Sequence, residues 1–564
     1  MNFYIIIIIT YILKFIYSLN VGLVPDEAYY WEWSRHLDFS FYDQGPGVAI
    51  YIKLFTLVFG DTLLALRTAS NVASLVTTIF VFKISDILEF SKIQKIYLYL
   101  FIIFIPAFFA GGFLIMHDSP LLLSWSGALY FTVKYLKERK NAFLYPLFLF
   151  LGLGALSKHT MVFFVFSLVI WILLSPKEFS IFKNIHFYLG ILLTFLIISP
   201  VIYWNLNHNW DNIDAIANLR SAGSVNVKKF NTGSMIVGQI FSISPLFYLL
   251  LLFVLIRYFY TEISRTTFIN YCREIVNIQD TKSIILKFLL INAIILPLFF
   301  LIMSIFRVIQ ANWLYASYLP MSLLFIYHLN FKNYEKKLFF EGLMIALILD
   351  LFSVLSIPIS KTLNLSIDPY YILGTRNLGF QEIAAEVTQI QKEKYPDSKI
   401  ITNRYQDAAI LSWYLPDKPF INSVNILQKN QYNYWYDMEY GKDYLLVYIQ
   451  EKTCAKSFIF FQPILAQMFE KIEEYPEKDI YVDGYLVKRM QLWYLKNYQK
   501  NWADDISELL QHQMVQEGMV VGLKNNEETE KFQRDKMDQF SGIGLIKGYL
   551  ERSGEMECSF LLKK

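Results

Sequence analysis

The sequence predicts a polytopic α-helical membrane protein of about eleven transmembrane helices, followed by a water-soluble α/β domain. Three observations predict it. First, the 564-residue chain is 55% hydrophobic and 18% aromatic, with a mean hydropathy of +0.36, whereas soluble domains are nearer ~45–50% apolar. Second, charge is unevenly spread: Asp, Glu, Lys and Arg number 45 in residues 1–357 (13%) and 54 in residues 358–564 (26%). Third, the apolar residues of the first part gather into runs near the ~20 residues a helix needs to cross a bilayer. Residues 1–357 are therefore expected to form the transmembrane domain and residues 358–564 a soluble domain.

Composition also excludes. A net charge of +3, without a long basic tract, gives no case for nucleic acid. Cys272, Cys454 and Cys558 lack metal-site spacing and allow at most one disulfide if Cys272 is separated from the other two. The run Phe3 to Ile16 has neither a basic n-region nor a small-residue cleavage site, so it is expected to be a retained first span.

Candidate spans fall near 3–20, 62–82, 94–115, 119–135, 143–157, 160–175, 186–204, 234–256, 284–305, 313–329 and 338–357. Several are short, the fifth especially, as expected of helices that end inside the protein and line a cavity. Loop charge sets the orientation. With the loop 21–61 placed outside, the inside loops hold sixteen Lys and Arg and the outside loops about seven. This predicts a cytoplasmic N-terminus and an external C-terminal domain.

On that topology the polar constellations share the external face. They are Pro25-Asp26-Glu27, His117-Asp118-Ser119-Pro120, Ser157-Lys158-His159, the stretch Trp204 to Asp211, and Arg307 with Gln310, Asn312 and Trp313. Asp26 and Glu27 can act as general base or metal ligand; they also suit a helix first turn behind Pro25. Asp118 can cap a helix, and beside His117 it can form a metal or proton-transfer pair. Lys158 and His159 are the only break between the fifth and sixth spans. Ionisable residues at membrane depth are functional by default, and a lipid-linked phosphate suits two cationic donors, although a lysine can also snorkel to the interface. Arg307 offers a phosphate-binding fork or an interfacial anchor. In the first loop, Tyr29, Tyr30, Trp31, Trp33, Phe39, Phe41 and Tyr42 suit an interfacial belt or a sugar face equally well, and Val48 to Phe59 looks like a helix in the interface plane.

The run VPDEAYYWEWSRHLDFSFYDQGPGVAIYIKLFTLVFGDTLLALR (24–67) resembles the first-loop signature of bacterial glycosyltransferases related to dolichyl-phosphate-mannose protein mannosyltransferases, a family that includes the lipid A aminoarabinose transferases. HDSPLLLSW (117–125), LGALSKHTMVFF (153–164), SPVIYWNLNHNW (199–210), ANWLYASYLP (311–320), RYQDAAILSWYLPDKP (404–419) and NQYNYW (430–435) are similar in the same order. The resemblance implies a C-type membrane glycosyltransferase of the bacterial inner membrane. It would use a sugar on a polyprenyl phosphate outside the cytoplasmic leaflet, with a glycolipid, glycan or protein as acceptor. It implies Asp26 as general base, with Glu27 or Asp118 orienting it or holding a divalent metal, and Lys158 at the donor phosphate. His117 and His159 depart from the usual residues at their positions.

Glycosyl transfer from a lipid phosphate needs positive charge at the departing phosphate and a base on the acceptor. Lys158, His159 and Arg307 are candidates for the first, Asp26 for the second. Tyr42, Asp43, His208 and Asn312 are candidate contacts to sugar or acceptor, and Asp26, His117 and Asp118 are the candidate ligands should a metal take part. One base without a covalent nucleophile predicts inversion at the anomeric carbon. The rival reading is a transporter or flippase of lipid-linked sugars, against which stands the absence of an internal repeat; a third is a non-catalytic scaffold carrying a sensor domain.

In the tail, helices are expected at Gln381 to Tyr395, Tyr405 to Tyr414 and Asp504 to Glu517. Strands are expected at Lys399 to Thr402, Tyr444 to Ile449, Ser457 to Phe461 and Ile480 to Val487. The charged stretch Asn525 to Lys564 receives no assignment.

Overall fold

A computed structural model describes residues 3–213, 231–265, 280–306, 308–362, 377–424, 430–436, 438–450, 465–466, 468–482 and 484–499. The chain divides into two compact units. One comprises residues 1–21, 33–214 and 228–352; the other comprises 22–32, 215–227 and 353–564.

The first unit is helical. Its elements begin with α1 (Phe3–Ser18), the end of α2 (Pro25–Arg35), α3 (Gly47–Phe59), α4 (Leu63–Ile87), α5 (Lys92–Phe104), α6 (Pro106–Gly111), α7 (Asp118–Glu138), α8 (Leu144–Ser157), α9 (Val162–Leu173) and α10 (Ile185–Asn207). Local chemistry sets several boundaries. The Thr62 hydroxyl accepts from the Ala65 amide at the start of α4, and Ser91 with Gln94 forms a capping box on α5. Arg139 ends α7 in the left-handed region, φ 55°. α7 packs between α4 and α8, and α8 packs on α10. Small residues permit that approach: a Cβ on Gly190 would meet Phe148 at 2.1 Å, and one on Gly154 would meet the Met161 sulfur at 2.8 Å. The core between α7, α9 and Thr281–Ser304 is aromatic, and the Trp125 indole donates to Asn292 Oδ1 at 2.9 Å.

Every expected span falls on helix, but not always as one straight span. Leu63–Ile87, Ile185–Asn207 and Thr281–Ser304 are long and apolar enough to cross a membrane. The segment expected at 234–256 is two helices, Asn231–Ile243 and Pro245–Arg265, bent by 101°. Ser244 sits between them at φ 98°, and Pro245 cannot donate the hydrogen bond that would carry the first helix onward. The segment at 94–115 breaks at Pro106 for the same reason. That at 313–329 opens with tight helical turns, Ala311–Ser317, before the α-helix Tyr318–His328. The count of eleven straight spans is therefore not what the helices alone define.

The second unit is α/β. Helix Phe380–Lys394 precedes β1 (Lys399–Thr402). Helix Tyr405–Tyr414 leads to β2 (Asn422–Ser423), and then follow β3 (Tyr444–Gln450), β4 (Phe469–Glu474), β5 (Lys478–Val482) and β6 (Tyr485–Tyr498). The strand order is β2-β1-β3-β6-β4, with β5 also on β6. β1 is parallel to β2 and β3; β6 is antiparallel to its neighbours. The expected helices at 381–395 and 405–414 and the strands at 399–402 and 444–449 are present. The single strand expected over Ile480 to Val487 is instead a hairpin, turned at Gly484, φ 75°; the Asp-Gly dipeptide there is a hairpin signal. β4 was not expected, because Glu470, Lys471, Glu473 and Glu474 give it the charge typical of a protected edge strand. Ser457 to Phe461, Asp504 to Glu517 and the terminal stretch lie outside the described residues.

Part of the first loop belongs to this second unit. Trp31 packs edge-on against Trp413 at 4.9 Å, and the Lys418 ammonium lies 3.6 Å from the Trp413 ring centre. Tyr29 packs on Tyr405 at 4.4 Å, and its hydroxyl accepts from the Gln431 amide at 2.9 Å. Tyr29 and Trp31 are therefore core residues of the α/β unit rather than members of an interfacial belt.

Candidate active site

The site in the helical unit is built where α8 stops short. Lys158 leaves the helix in extended backbone, φ −157° and ψ 135°. A short helical turn, His159–Met161, then starts α9. The Lys158 ammonium donates to Asp118 Oδ1 at 2.7 Å, and the Asn312 amide donates to Asp118 Oδ2 at 3.0 Å. The Lys158 and Asp118 side chains are only 7% and 15% exposed. Three segments far apart in sequence thus converge on one carboxylate, at the first turn of α7, where the helix dipole also favours negative charge.

The first loop sets the height of Lys158. The Gln44 side-chain oxygen accepts from the His159 amide at 3.3 Å. A Cβ on Gly45 would lie 2.4 Å from the Leu156 carbonyl oxygen, and one on Gly47 would lie 2.6 Å from the Ser157 backbone nitrogen. Only glycine lets the loop backbone come this close to the end of α8. The loop is clamped from the other side as well: the Asn212 amide donates to the Phe41 and Tyr42 carbonyls at 2.8 and 3.0 Å. The Trp204 indole donates to Asp38 at 3.1 Å. Gln44, Gly45, Gly47 and Asn212 carry this geometry and were not singled out from the sequence. The two glycines stand around a proline in the quoted first-loop run, which was the available signal; Gln44 and Asn212 had none.

His117 immediately precedes α7, without a side-chain cap, and is buried, with its ring 5.7 Å from Trp33. Burial holds its pKa well below the usual histidine value, and the neighbouring charges of Lys158 and His159 lower it further. Trp33 is itself stacked on Phe41 at 4.2 Å. His159 faces an apolar cavity of about 480 Å³ bounded by α7, α8, α9 and α10, with Leu151, Met161, Trp171, Phe187 and Phe195 among its walls.

Of the residues expected at a site, Asp118, Lys158 and Asn312 are brought into contact, with His117 and His159 beside them. The Asn312 amide donates to Asp118, and the His208 ring stacks on Trp204 at 4.0 Å with its Nδ1 2.8 Å from the Trp204 carbonyl oxygen. Tyr42 is buried, with its carbonyl held by Asn212, and Asp43 is half-buried beside it. Asp26 and Glu27 form the first turn of α2 behind Pro25, in the segment that packs with the α/β unit. Glu27 is fully buried, and its carboxylate accepts from the Val24 amide at 3.2 Å, a helix cap. Arg307 lies outside the described residues. The metal reading of Asp26, His117 and Asp118 does not fit: among the described residues no three His, Cys, Asp or Glu converge. Both Asp118 oxygens are engaged, and His117 stands among cations.

Residues 43–204 match the sequence profile of the dolichyl-phosphate-mannose-protein mannosyltransferase family, a segment that includes Asp118, Lys158 and His159. Two solved structures of ArnT from Cupriavidus metallidurans share the fold. The apo form has a TM-score of 0.58, and the form bound to undecaprenyl phosphate 0.56. Each is 13% identical and covers 86% of this chain and 97% of the ArnT chain. No curated protein sequence matches the chain.

Proposed function

We propose that the protein is a membrane glycosyltransferase that moves a sugar from a polyprenyl-phosphate donor to an acceptor hydroxyl or phosphate on the external face, with inversion. The observation that carries this reading is Lys158: a buried cation held by Asp118, with His159, the next residue, lining an apolar cavity large enough for isoprene units. A cation one residue from the lining of an apolar cavity suits a phosphate joined to a hydrocarbon chain.

In the reaction, an acceptor oxygen attacks the anomeric carbon as the bond from that carbon to the phosphate oxygen breaks. The electron pair departs with the polyprenyl phosphate, and Lys158 and His159, with Arg307, stabilise the charge that develops there. Asp26 takes the acceptor proton. Glu27 fixes the turn that presents Asp26, Asp118 and Asn312 orient Lys158, and Tyr42 and Asp43 are contacts for sugar or acceptor. The N-terminus is cytoplasmic and the α/β unit external, in the bacterial inner membrane. Similarity to ArnT, solved with undecaprenyl phosphate, supports the donor class. A flippase of lipid-linked sugars is not favoured, since the matching family profile is that of a mannosyltransferase.

The test is transfer in vitro by purified protein with a panel of polyprenyl-phosphate sugars, comparing wild type, Asp26→Asn and Lys158→Ala. Turnover in the wild type and its loss in both variants is expected. Full activity in Asp26→Asn would remove the base assignment, and no turnover with any donor would overturn the transferase reading.

A further inference from the structure

The cavity that His159 lines has walls of two kinds. On its back, Leu147, Leu151, Met161 and Trp171 are buried. Thr132 and Thr194 also line it, but their hydroxyls donate to the Ala128 and Phe148 carbonyls at 2.8 Å, so the surface they add is hydrocarbon. On its front, Val162, Val165 and Val169 of α9 and Phe195 of α10 line the same cavity, yet they are 44%, 39%, 46% and 56% exposed. The cavity is therefore open to the exterior along that edge.

Helical spacing gives the opening its shape. The α9 valines recur at i, i+3 and i+7, and the α10 lining residues Ile191, Thr194, Phe195 and Ile198 at i, i+3, i+4 and i+7, each a stripe on one helix face. Each stripe covers seven residues, a rise of roughly 10 Å. Two such stripes frame a slit, since α9 packs on Thr281–Ser304 and α10 on α8 rather than closing on each other. α10 is long and apolar enough to cross a membrane, and most of it is exposed, so the slit faces lipid.

The end of the cavity remote from Lys158 is shut. Ile181 lines it there, from the tight helical turn Pro176–Lys183 that follows α9. That turn is pinned: Arg139 donates to both Glu178 carboxylate oxygens at 2.6 and 2.8 Å, and the Lys287 ammonium donates to Ser175 Oγ at 3.0 Å. A long hydrocarbon tail does not pass such a floor, and it does not arrive through water, because every methylene exposed on the way opposes the transfer. The slit keeps the tail in apolar surroundings throughout. It also leaves the part of a tail that exceeds the cavity in the bilayer. Lys158 and His159 at the opposite end favour a single tail that ends directly in a phosphate over a diacyl lipid, whose glycerol separates phosphate from chains.

We infer that the slit between α9 and α10 is a lateral portal, through which the tail of a polyprenyl phosphate enters from the bilayer and in which it stays threaded while the phosphate is held. The inference rests on the donor class proposed above, and its test separates the two. The photoreactive residue p-benzoylphenylalanine replaces Phe195, Val165 or, as the control, Leu196, which is exposed on α10 outside the cavity lining. The full-length variants, in phosphatidylcholine nanodiscs, are irradiated with a radiolabelled long-chain polyprenyl phosphate. Labelling at Phe195 and Val165 is expected to be saturable and several-fold above that at Leu196. Unlabelled polyprenyl phosphate should displace it, and phosphatidylglycerol at equal mole fraction should not. If one of the two portal variants fails to fold, the other carries the comparison. Labelling at the portal no higher than at Leu196, or displaced equally by phosphatidylglycerol, would overturn the portal. Retention of the same lipid by wild type and its loss in Lys158→Met, measured alongside, read the donor site by itself. Retention that Lys158→Met loses, with unsaturable labelling at Phe195 and Val165, would sink the portal and leave the donor reading standing; no retention by wild type would overturn both.

Discussion

Lys158 meets its counter-ion forty residues earlier in the chain, and that pair decides what each side chain can do. Removing one member of a buried pair leaves an uncompensated charge, at a cost of about 3–5 kcal/mol. Asp118→Asn and Lys158→Met are therefore both expected to lower thermal stability, and Lys158→Met alone should also lose donor affinity by roughly 10–100-fold, the weight of a charge-assisted hydrogen bond of ~1.5–3 kcal/mol. Unfolding in detergent and donor binding by calorimetry separate the two; equal effects of both variants on both readouts would contradict the division of roles. Gly45 tests the geometry around them. An alanine Cβ there would lie 2.4 Å from the Leu156 carbonyl oxygen, which backbone cannot tolerate. Gly45→Ala should cost about 1–3 kcal/mol by overpacking and displace Lys158, so turnover should fall more than stability does. Gly111→Ala, at a glycine whose Cβ would meet nothing within 4 Å, is the control for glycine loss as such.

At the scale of elements, the helix start at His117 links protonation to stability. Its pKa is held well below the ordinary histidine value, first by burial and then by the charges of Lys158 and His159. The unfolded chain therefore binds a proton near its ordinary pKa of about 6.5 while the folded chain does not, and stability must fall as pH drops below that value. His117→Gln removes this linkage. The melting temperature of the variant should fall less steeply than that of wild type between neutral and mildly acidic pH, read by tryptophan fluorescence; parallel curves would show that His117 is not the group responsible. Elements also explain what sequence could disclose. The helices were legible because apolar runs declare themselves, and β1, β3 and two tail helices because periodicity is local. The bend at Ser244 was less so, whereas the short α8 showed as the short fifth apolar run. A backbone break is set by one φ angle or by one proline, and hydropathy averages over both. The convergence of Asp118, Lys158 and Asn312 was half legible: residue type and a shared face marked them as candidates, but only tertiary contact shows that the Asn312 amide donates to the carboxylate.

For the whole molecule, the boundary between membrane and soluble parts was expected at residue 357, and composition changes there. The compact units divide otherwise, with residues 22–32 joining residues from 353 onward. Charge density could not show this, because the joining segment is amphipathic and short, and its partners lie some four hundred residues away. The physical bond is aromatic: Trp31 is fully buried against Trp413, and Tyr29 lies against Tyr405. Ser412 also donates to Glu32 at 3.4 Å. A fragment beginning at residue 358 lacks these residues and exposes the surface they cover. It should bind a hydrophobic dye and show poor amide dispersion by NMR, although it carries the whole described sheet. In the full chain, Trp31→Ala should destabilise the α/β unit by about 3–5 kcal/mol, the usual cost of deleting a buried tryptophan. It should also hasten proteolytic cleavage within that unit relative to the helical unit. A fragment from residue 358 that folds with native dispersion and resists protease as the full chain does would show that residues 22–32 decorate the α/β unit rather than complete its core.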